Sequence, residues 1–372
     1  MKLIIPDLSY SCAMCTQCCR EKWDIEVEPG LIDELDGMDW SHDIQEKAPY
    51  FRKKRSGTWV VNTRKDGGCV FLKGDKCVIH GHLGLMKKPA TCIIFPYMFT
   101  ETPDGVVVGL SYACPAAVKN EGTPLRQEPA LSEIAEAAQR MGRISKPKMT
   151  LHGKEIGWET YKRLEDMLGE ILKMKKPMRH RLLIAHALIA NAKDQIEDVD
   201  KYLVGADIAK LENDTDTTNP SKQNRMNILA TALTIQARDE NPINSILGYL
   251  KLIGSSKDDG KLPPWRENEA TDRYVSHLVF RKSLLGETDI CDSYNILILA
   301  YAALEHNART KAAKAGRDKI TPEDITESIV SVERRILTHT KTYAIMLKTG
   351  AMATLLQYYF KDPDYAKTML GD

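Results

Sequence analysis

The hydrophobic pattern changes character near residue 120. Before it, apolar residues come in short runs broken by glycine, proline and aspartate. Thr58-Trp59-Val60-Val61 is a β-prone run, and Tyr97–Thr100 and Val106–Leu110 flank the turn signal Pro103-Asp104-Gly105, which predicts a hairpin. Gly74-Asp75 predicts a second turn, between Cys69 and Cys77, that would bring those two sulfurs together. Beyond Pro124 and Pro129 the period becomes helical. Tyr161, Leu164, Leu168, Ile171 and Leu172 recur at three- and four-residue spacing and fall on one helix face. Pro177 stands where a first-turn proline belongs, ahead of Leu182, Leu183, Ala187 and Leu188. Further helices are expected at Met226–Ala237, Asn244–Ile253, Arg273–Leu284, Tyr294–Asn307 and Pro322–His339, with polar linkers at Asn213–Asn224 and Ser255–Asn268. The best-marked start is Thr321 as N-cap, Pro322 at the first position and Glu323 and Asp324 near the positive end of the helix dipole. The pattern predicts an α+β chain: a small, irregular cysteine-rich domain with short β-hairpins over residues 1–122, then a larger all-helical domain over 123–372.

Composition narrows the partners. Lys and Arg number 52 against 51 Asp and Glu, and no basic block stands out, so neither nucleic acid nor an anionic membrane is expected as a partner. The longest apolar run, Ile296 to Leu304, is far shorter than the roughly 18 residues a membrane helix needs. The apolar stretch at the N-terminus ends at Pro6 and Asp7, too short for a secretory core, so a cytoplasmic setting with reduced thiols is expected. There is no glycine-rich dinucleotide loop, no Walker A loop and no His-Glu-x-x-His motif, which leaves the cysteine-rich region as the place for chemistry.

That region holds eight of the nine cysteines: Cys12, Cys15, Cys18, Cys19, Cys69, Cys77, Cys92 and Cys114, with Cys291 far away. Crowded cysteines in a reducing compartment point to metal. Three thiols at two-residue gaps exceed an ordinary zinc knuckle, which gives two ligands from each of two turns. The run Cys12-x2-Cys15-x2-Cys18 with a remote Cys114-Pro115 follows the ferredoxin spacing for a 4Fe–4S cluster. Cys12, Cys15, Cys18 and Cys114 therefore form one candidate ligand set. Cys19 is expected to turn away from Cys18 and join Cys69, Cys77 and Cys92 at a second site, or to stay free. Zinc, an iron–sulfur cluster, or one of each satisfies this pattern. His80 and His82 fit surface positions better than ligand positions, and Cys291 fits a structural thiol.

The series Cys12-x2-Cys15-x2-Cys18-Cys19, Gly68-Cys69-Val70-Phe71-Leu72, Lys76-Cys77-Val78-Ile79-His80, Lys88-Pro89-x2-Cys92-x2-Phe95-Pro96 and Ser111-x2-Cys114-Pro115 resembles the zinc- or iron-chelating cysteine-cluster domain. Within that group it looks most like the flagellin lysine N-methylase family, with softer helical similarity around Arg181-Leu182-Leu183 and in the later helices. The resemblance implies an iron–sulfur-dependent methyltransferase that uses S-adenosylmethionine to methylate lysines of a flagellin-like protein. Cys12, Cys15 and Cys18 would hold the cofactor-binding cluster if three thiolates bind, with Cys114 nearby. Tyr97, Tyr112, His80 and His82 are candidate general bases. Cys92 is followed by Ile93, where relatives commonly carry arginine. The non-enzymatic alternative is a zinc- or iron–sulfur-binding module with a structural, redox or protein-interaction role.

Overall fold

The computed structural model describes residues 1–371 apart from 22, 45–47, 238–261 and 338–357. It is an α+β structure, as the pattern predicts, and divides into two compact units, Met1–Ser145 and Lys146–Asp372. The division falls beyond residue 122 because the elements after it are tied back into the first unit by sheet pairing, as set out below.

The first unit is assembled from short pieces: β1 (Leu3–Ile4), β2 (Ser9–Tyr10), α1 (Gln17–Arg20), α2 (Pro29–Asp36), β3 (Phe51–Lys53), β4 (Trp59–Val61), β5 (Leu72–Lys73), β6 (Lys76–Cys77), α3 (Val78–Leu83), α4 (Ala90–Ile94), β7 (Tyr97–Thr102), β8 (Gly105–Leu110), α5 (Pro115–Lys119), β9 (Thr123–Pro124), α6 (Leu131–Arg140) and β10 (Ile144–Ser145). The expected hairpin is β7–β8, with Phe99 opposite Val108. It forms the middle of a four-stranded sheet ordered β1-β8-β7-β10, whose outer strands both run parallel to their neighbours. Gly105 makes the β1 edge possible. Its φ of 141° lies in the glycine-favoured region, and a Cβ there would sit 2.8 Å from the Lys2 carbonyl. That same carbonyl accepts the Val106 amide. Val108 and Leu110 are fully buried on this sheet.

A second hydrophobic cluster gathers Ile25, Val27, Leu35, Trp40, Phe51, Val61, Phe71 and Ile79. Cys69, Cys77 and Cys92 pack against it. The expected turn at Gly74-Asp75 joins β5 to β6, placing Leu72 opposite Cys77.

The second unit opens with the small ribbon β11 (Thr150–Leu151) and β12 (Lys154–Glu155) and is otherwise helical. Its helices are α7 (Trp158–Leu172), α8 (Met178–Asn191), α9 (Val199–Gly205), α10 (Ile208–Asp214), α11 (Lys222–Ala237), α12 (Glu269–Phe280), α13 (Ile290–Lys314), α14 (Pro322–Val332) and α15 (Tyr365–Leu370). The predicted face of α7 is the buried one, since Tyr161, Leu164, Leu168, Ile171 and Leu172 are all inside. In α13 every residue from Ser293 to Glu305 is buried, so this helix is the axis around which the others pack. Thr321 and Asp324 form a reciprocal capping box at the start of α14, with Pro322 in the first turn. The helix expected at Asn244–Ile253 lies outside the described residues, as does the end expected at His339. Among the described residues no helix is long and apolar enough to cross a membrane.

Candidate metal centre

The N-terminal cysteines start in a loop whose backbone is bent by two non-glycine residues in the left-handed region, Met14 (φ 48°) and Thr16 (φ 58°). Thr16 then begins the single turn α1, which carries Cys18 and Cys19. Two sets of ties lead away from this loop.

The first leads to Cys114. Strand β2, just before Cys12, pairs antiparallel with β9. The Asn120 side chain accepts from the Ser9 amide at 2.8 Å, and the Ser11 hydroxyl accepts from the Thr123 amide at 3.1 Å. Cys114 itself is the N-cap of α5 and is buried, while Cys12 and Cys15 are exposed. Burial pushes the Cys114 thiol up to about 11, and the nearby thiols of Cys15 and Cys18 push the same way. Tyr10 is buried beside Cys12 and Cys114 and stacks edge-on against Tyr97 at 5.7 Å. Its phenol is held protonated, first by burial and then by those two thiols.

The second set leads to Cys69, Cys77 and Cys92. The Cys69 amide donates to the Cys19 carbonyl at 2.7 Å. Arg20 donates to the Gly74 carbonyl at 3.0 Å, fastening α1 to the β5–β6 turn. The Trp23 indole donates to the Cys18 carbonyl at 2.6 Å and lies edge-on against Phe95, just after the helix that carries Cys92. Cys77 caps α3, and Cys92 sits in α4. Cys18, Cys19, Cys69, Cys77 and Cys92 are all half-buried.

Cys18 and Cys19 do not point apart as expected. Their sulfurs are 3.9 Å from each other, because both side chains project from one tight turn. The Cys18 thiol is lowered to about 6 by its hydrogen bond with Cys19, and Cys19 is raised by the same bond. Burial pushes the Cys69 thiol up to about 12 and raises Cys92 as well. Cys18 acts electrostatically on both groups, raising the thiols of Cys114, Cys69 and Cys92 alike.

Two residues outside the expected ligand set belong here. Tyr10 is one; Lys88 is the other. Burial alone would lower the Lys88 ammonium, but the thiols of Cys92, Cys77, Cys19 and Cys18 hold it above its ordinary value. The available signal was a lysine four residues ahead of Cys92, locked by Pro89. His82 is exposed and pairs with Asp43 at 3.0 Å, as expected of a surface histidine. Burial and Lys88 keep His80 neutral. Cys291 lies in the other unit, 3.3 Å from both ring nitrogens of His152, with its amide capped by Asp289.

The donor chemistry suits a thiophilic cation. The half-buried thiols of Cys69 and Cys92, which burial holds protonated, would give up their protons to a bound cation such as zinc or iron. As placed, no three His, Cys, Asp or Glu side chains among the described residues stand close enough together to hold an ion.

Residues 11–115 match the family model described as "Putative zinc- or iron-chelating domain", with the cysteine signature CxxCxxCC. This range ends at Pro115 and contains all eight clustered cysteines. An uncharacterized protein of Methanocaldococcus jannaschii is 31% identical over 99 residues, which is 26% of this chain and 33% of the relative. The match therefore spans about a third of that protein's length. No solved structure matches. The N-terminal part of the chain carries a cysteine-cluster domain of the zinc- or iron-chelating type.

Proposed function

We propose that this chain is a metal-binding protein whose first unit holds zinc or iron through cysteine thiolates, in a structural or redox role. One observation carries the reading. Cysteines spread over about 100 residues are gathered by backbone pairing into two adjoining groups, one around Cys12, Cys15 and Cys114 and one around Cys19, Cys69, Cys77 and Cys92. Cys18 acts electrostatically on both. Packing against the hydrophobic cluster accounts for part of the placement of Cys69, Cys77 and Cys92, but not for the exposed Cys12 and Cys15, and a shared cation gives the whole set a reason to collect.

A narrower reading adds S-adenosylmethionine and a protein lysine, as the methylase resemblance implies. What favours it is the exposure of Cys12 and Cys15, while every other clustered cysteine is at least half-buried. A centre with an open edge leaves room for a small molecule. Among this chain's own groups, Cys12, Cys15 and Cys18 would hold the cluster at that edge, with the buried Tyr10 behind it.

Anaerobic purification followed by iron, zinc and acid-labile sulfide analysis tests the main reading. Single Cys15→Ala and Cys77→Ala variants should each lose metal, and Cys291→Ala should lose none. Full metal retention in both of the first two variants would overturn it. Calorimetry of S-adenosylmethionine binding to the fully loaded chain tests the narrower reading; absence of binding leaves the metal-binding module alone.

A further inference from the structure

The helical unit contains an open cleft of about 600 Å³. Arg179, Arg266 and Arg309 line it, together with Trp265, Glu267 and Glu305. Arg179 belongs to the first turn of α8, Glu305 and Arg309 lie about one turn apart on α13, and Trp265 to Glu267 come just before α12. Both carboxylates are engaged by the protein itself. Glu305 is almost fully buried and accepts from Arg179, Arg225 and Arg309. Glu267 accepts the Met178 amide at 2.8 Å and the Tyr301 hydroxyl at 2.9 Å. The same contacts hold the guanidinia in place. Arg179 Nε donates to Glu305 at 3.1 Å, and Arg309 Nε donates to the Pro263 carbonyl at 2.9 Å. Arg266 is exposed and meets no carboxylate among the described residues. Trp265 is half-buried, and its indole N–H is turned onto the Tyr301 hydroxyl at 3.0 Å, so it brings a ring to the cleft rather than a donor.

We propose that this cleft binds a phosphate monoester carried on a flat ring, of the size of a nucleoside monophosphate. A guanidinium has five N–H donors in a planar fork and no acceptor, and it meets phosphate oxygens two at a time. A phosphate monoester brings up to two negative charges and three acceptor oxygens, which three guanidinia can share. The cleft has room beyond the phosphate, since sites for small organic ligands run from about 300 to 1,000 Å³. Trp265, in the same lining, supplies an aromatic face on which a ring can stack. The site lies wholly within residues 146–372 and does not depend on the thiolate reading above.

Calorimetry of the full chain with AMP, adenosine and inorganic phosphate at low salt tests this. AMP should bind at a single site, inorganic phosphate should compete with it more weakly, and adenosine should bind about tenfold less tightly or worse. Arg266→Gln leaves the Glu305 contacts untouched, and it should weaken AMP by about tenfold at an unchanged melting temperature, as loss of one charged hydrogen bond does. Trp265→Leu should weaken AMP while leaving inorganic phosphate as it was. Failure of both AMP and inorganic phosphate to bind the wild type overturns the proposal. So does adenosine or inorganic phosphate binding as tightly as AMP, or an AMP affinity that Arg266→Gln does not change. Chelation should leave AMP binding as it is, so a failure here leaves the metal-binding reading standing.

Discussion

The two units solve the problem of holding a fold together in opposite ways. In the first, the described helices run from four to ten residues and the strands from two to six. Such pieces are too short to be stable alone, and their contacts join residues far apart in sequence. What spans the distance is pairing between distant strands and a hydrophobic cluster against which Cys69, Cys77 and Cys92 pack. In the second unit α13 alone has 25 residues, and buried ion pairs lock the helices around it. Arg281 meets Glu333 at 2.6 Å with both side chains almost fully buried, and Tyr274 also donates to Glu333. Glu305, 1% exposed, takes Arg179, Arg225 and Arg309 together. Lys282 meets Glu165 at 2.6 Å beneath the rings of Trp158, Tyr161 and Phe280. On the metal-binding reading proposed above, the first unit would draw part of its stability from a bound ion, whereas the described helices of the second are tied by their own charged side chains.

The sharpest way to break this contrast is to take metal away. Structural zinc contributes about 10 kcal/mol of apparent folding free energy in small domains. Chelation should open residues 1–145 to protease and leave the helical circular dichroism of residues 146–372 nearly unchanged. Loss of both signals together would mean the contrast is false.

A smaller effect should come from the other side. Glu333→Gln removes the carboxylate that meets the buried Arg281, and breaking a buried pair typically costs about 3–5 kcal/mol. Thermal unfolding of the helical unit should shift down accordingly, with metal content unchanged.

The smallest effect is one of pH. His186 is half-buried in α8, and desolvation lowers it to about 4. Its folded value is below its unfolded one of about 6.5, so the unfolded chain takes the proton first. Stability is present above pH 6.5 and drains as pH falls through that value toward 4. His186→Leu should flatten this dependence in the melting temperature of the helical unit, and an unchanged slope would assign it elsewhere.

Much of this arrangement is legible in sequence because the signals are local. Pro103-Asp104-Gly105 and Gly74-Asp75 mark turns that any two flanking strands must obey, and Thr321-Pro322 with Asp324 marks a cap. The face of α7 follows from spacing alone. What spacing does not carry is pairing between distant segments. Nothing in Leu3-Ile4 announces a parallel partner at Val106-Val107, nor in Ile144-Ser145 one at Phe99-Thr100, and those contacts place β10 in the first unit. The site divides along the same line. The cysteines are conspicuous by composition. The 3.9 Å approach of Cys18 to Cys19 depends on left-handed backbone at Met14 and Thr16, which neither residue type favours. Lys88 reads as one more surface lysine until the chain is folded around it.

The pairing of β2 with β9 also orders events during synthesis. Ser9 and Tyr10 cannot meet Pro124 and Thr123 until the ribosome has released the latter, by which time Cys12 to Cys19 have long emerged. At roughly 5–20 residues per second, that leaves the first four thiols waiting about 5–20 s for Cys114. During that interval they are the most oxidisable stretch of the nascent chain. On the metal-binding reading proposed above, a metal supplied during synthesis would meet these four thiols before Cys114 could join them, whereas one supplied afterwards would meet the folded unit, in which only Cys12 and Cys15 are exposed.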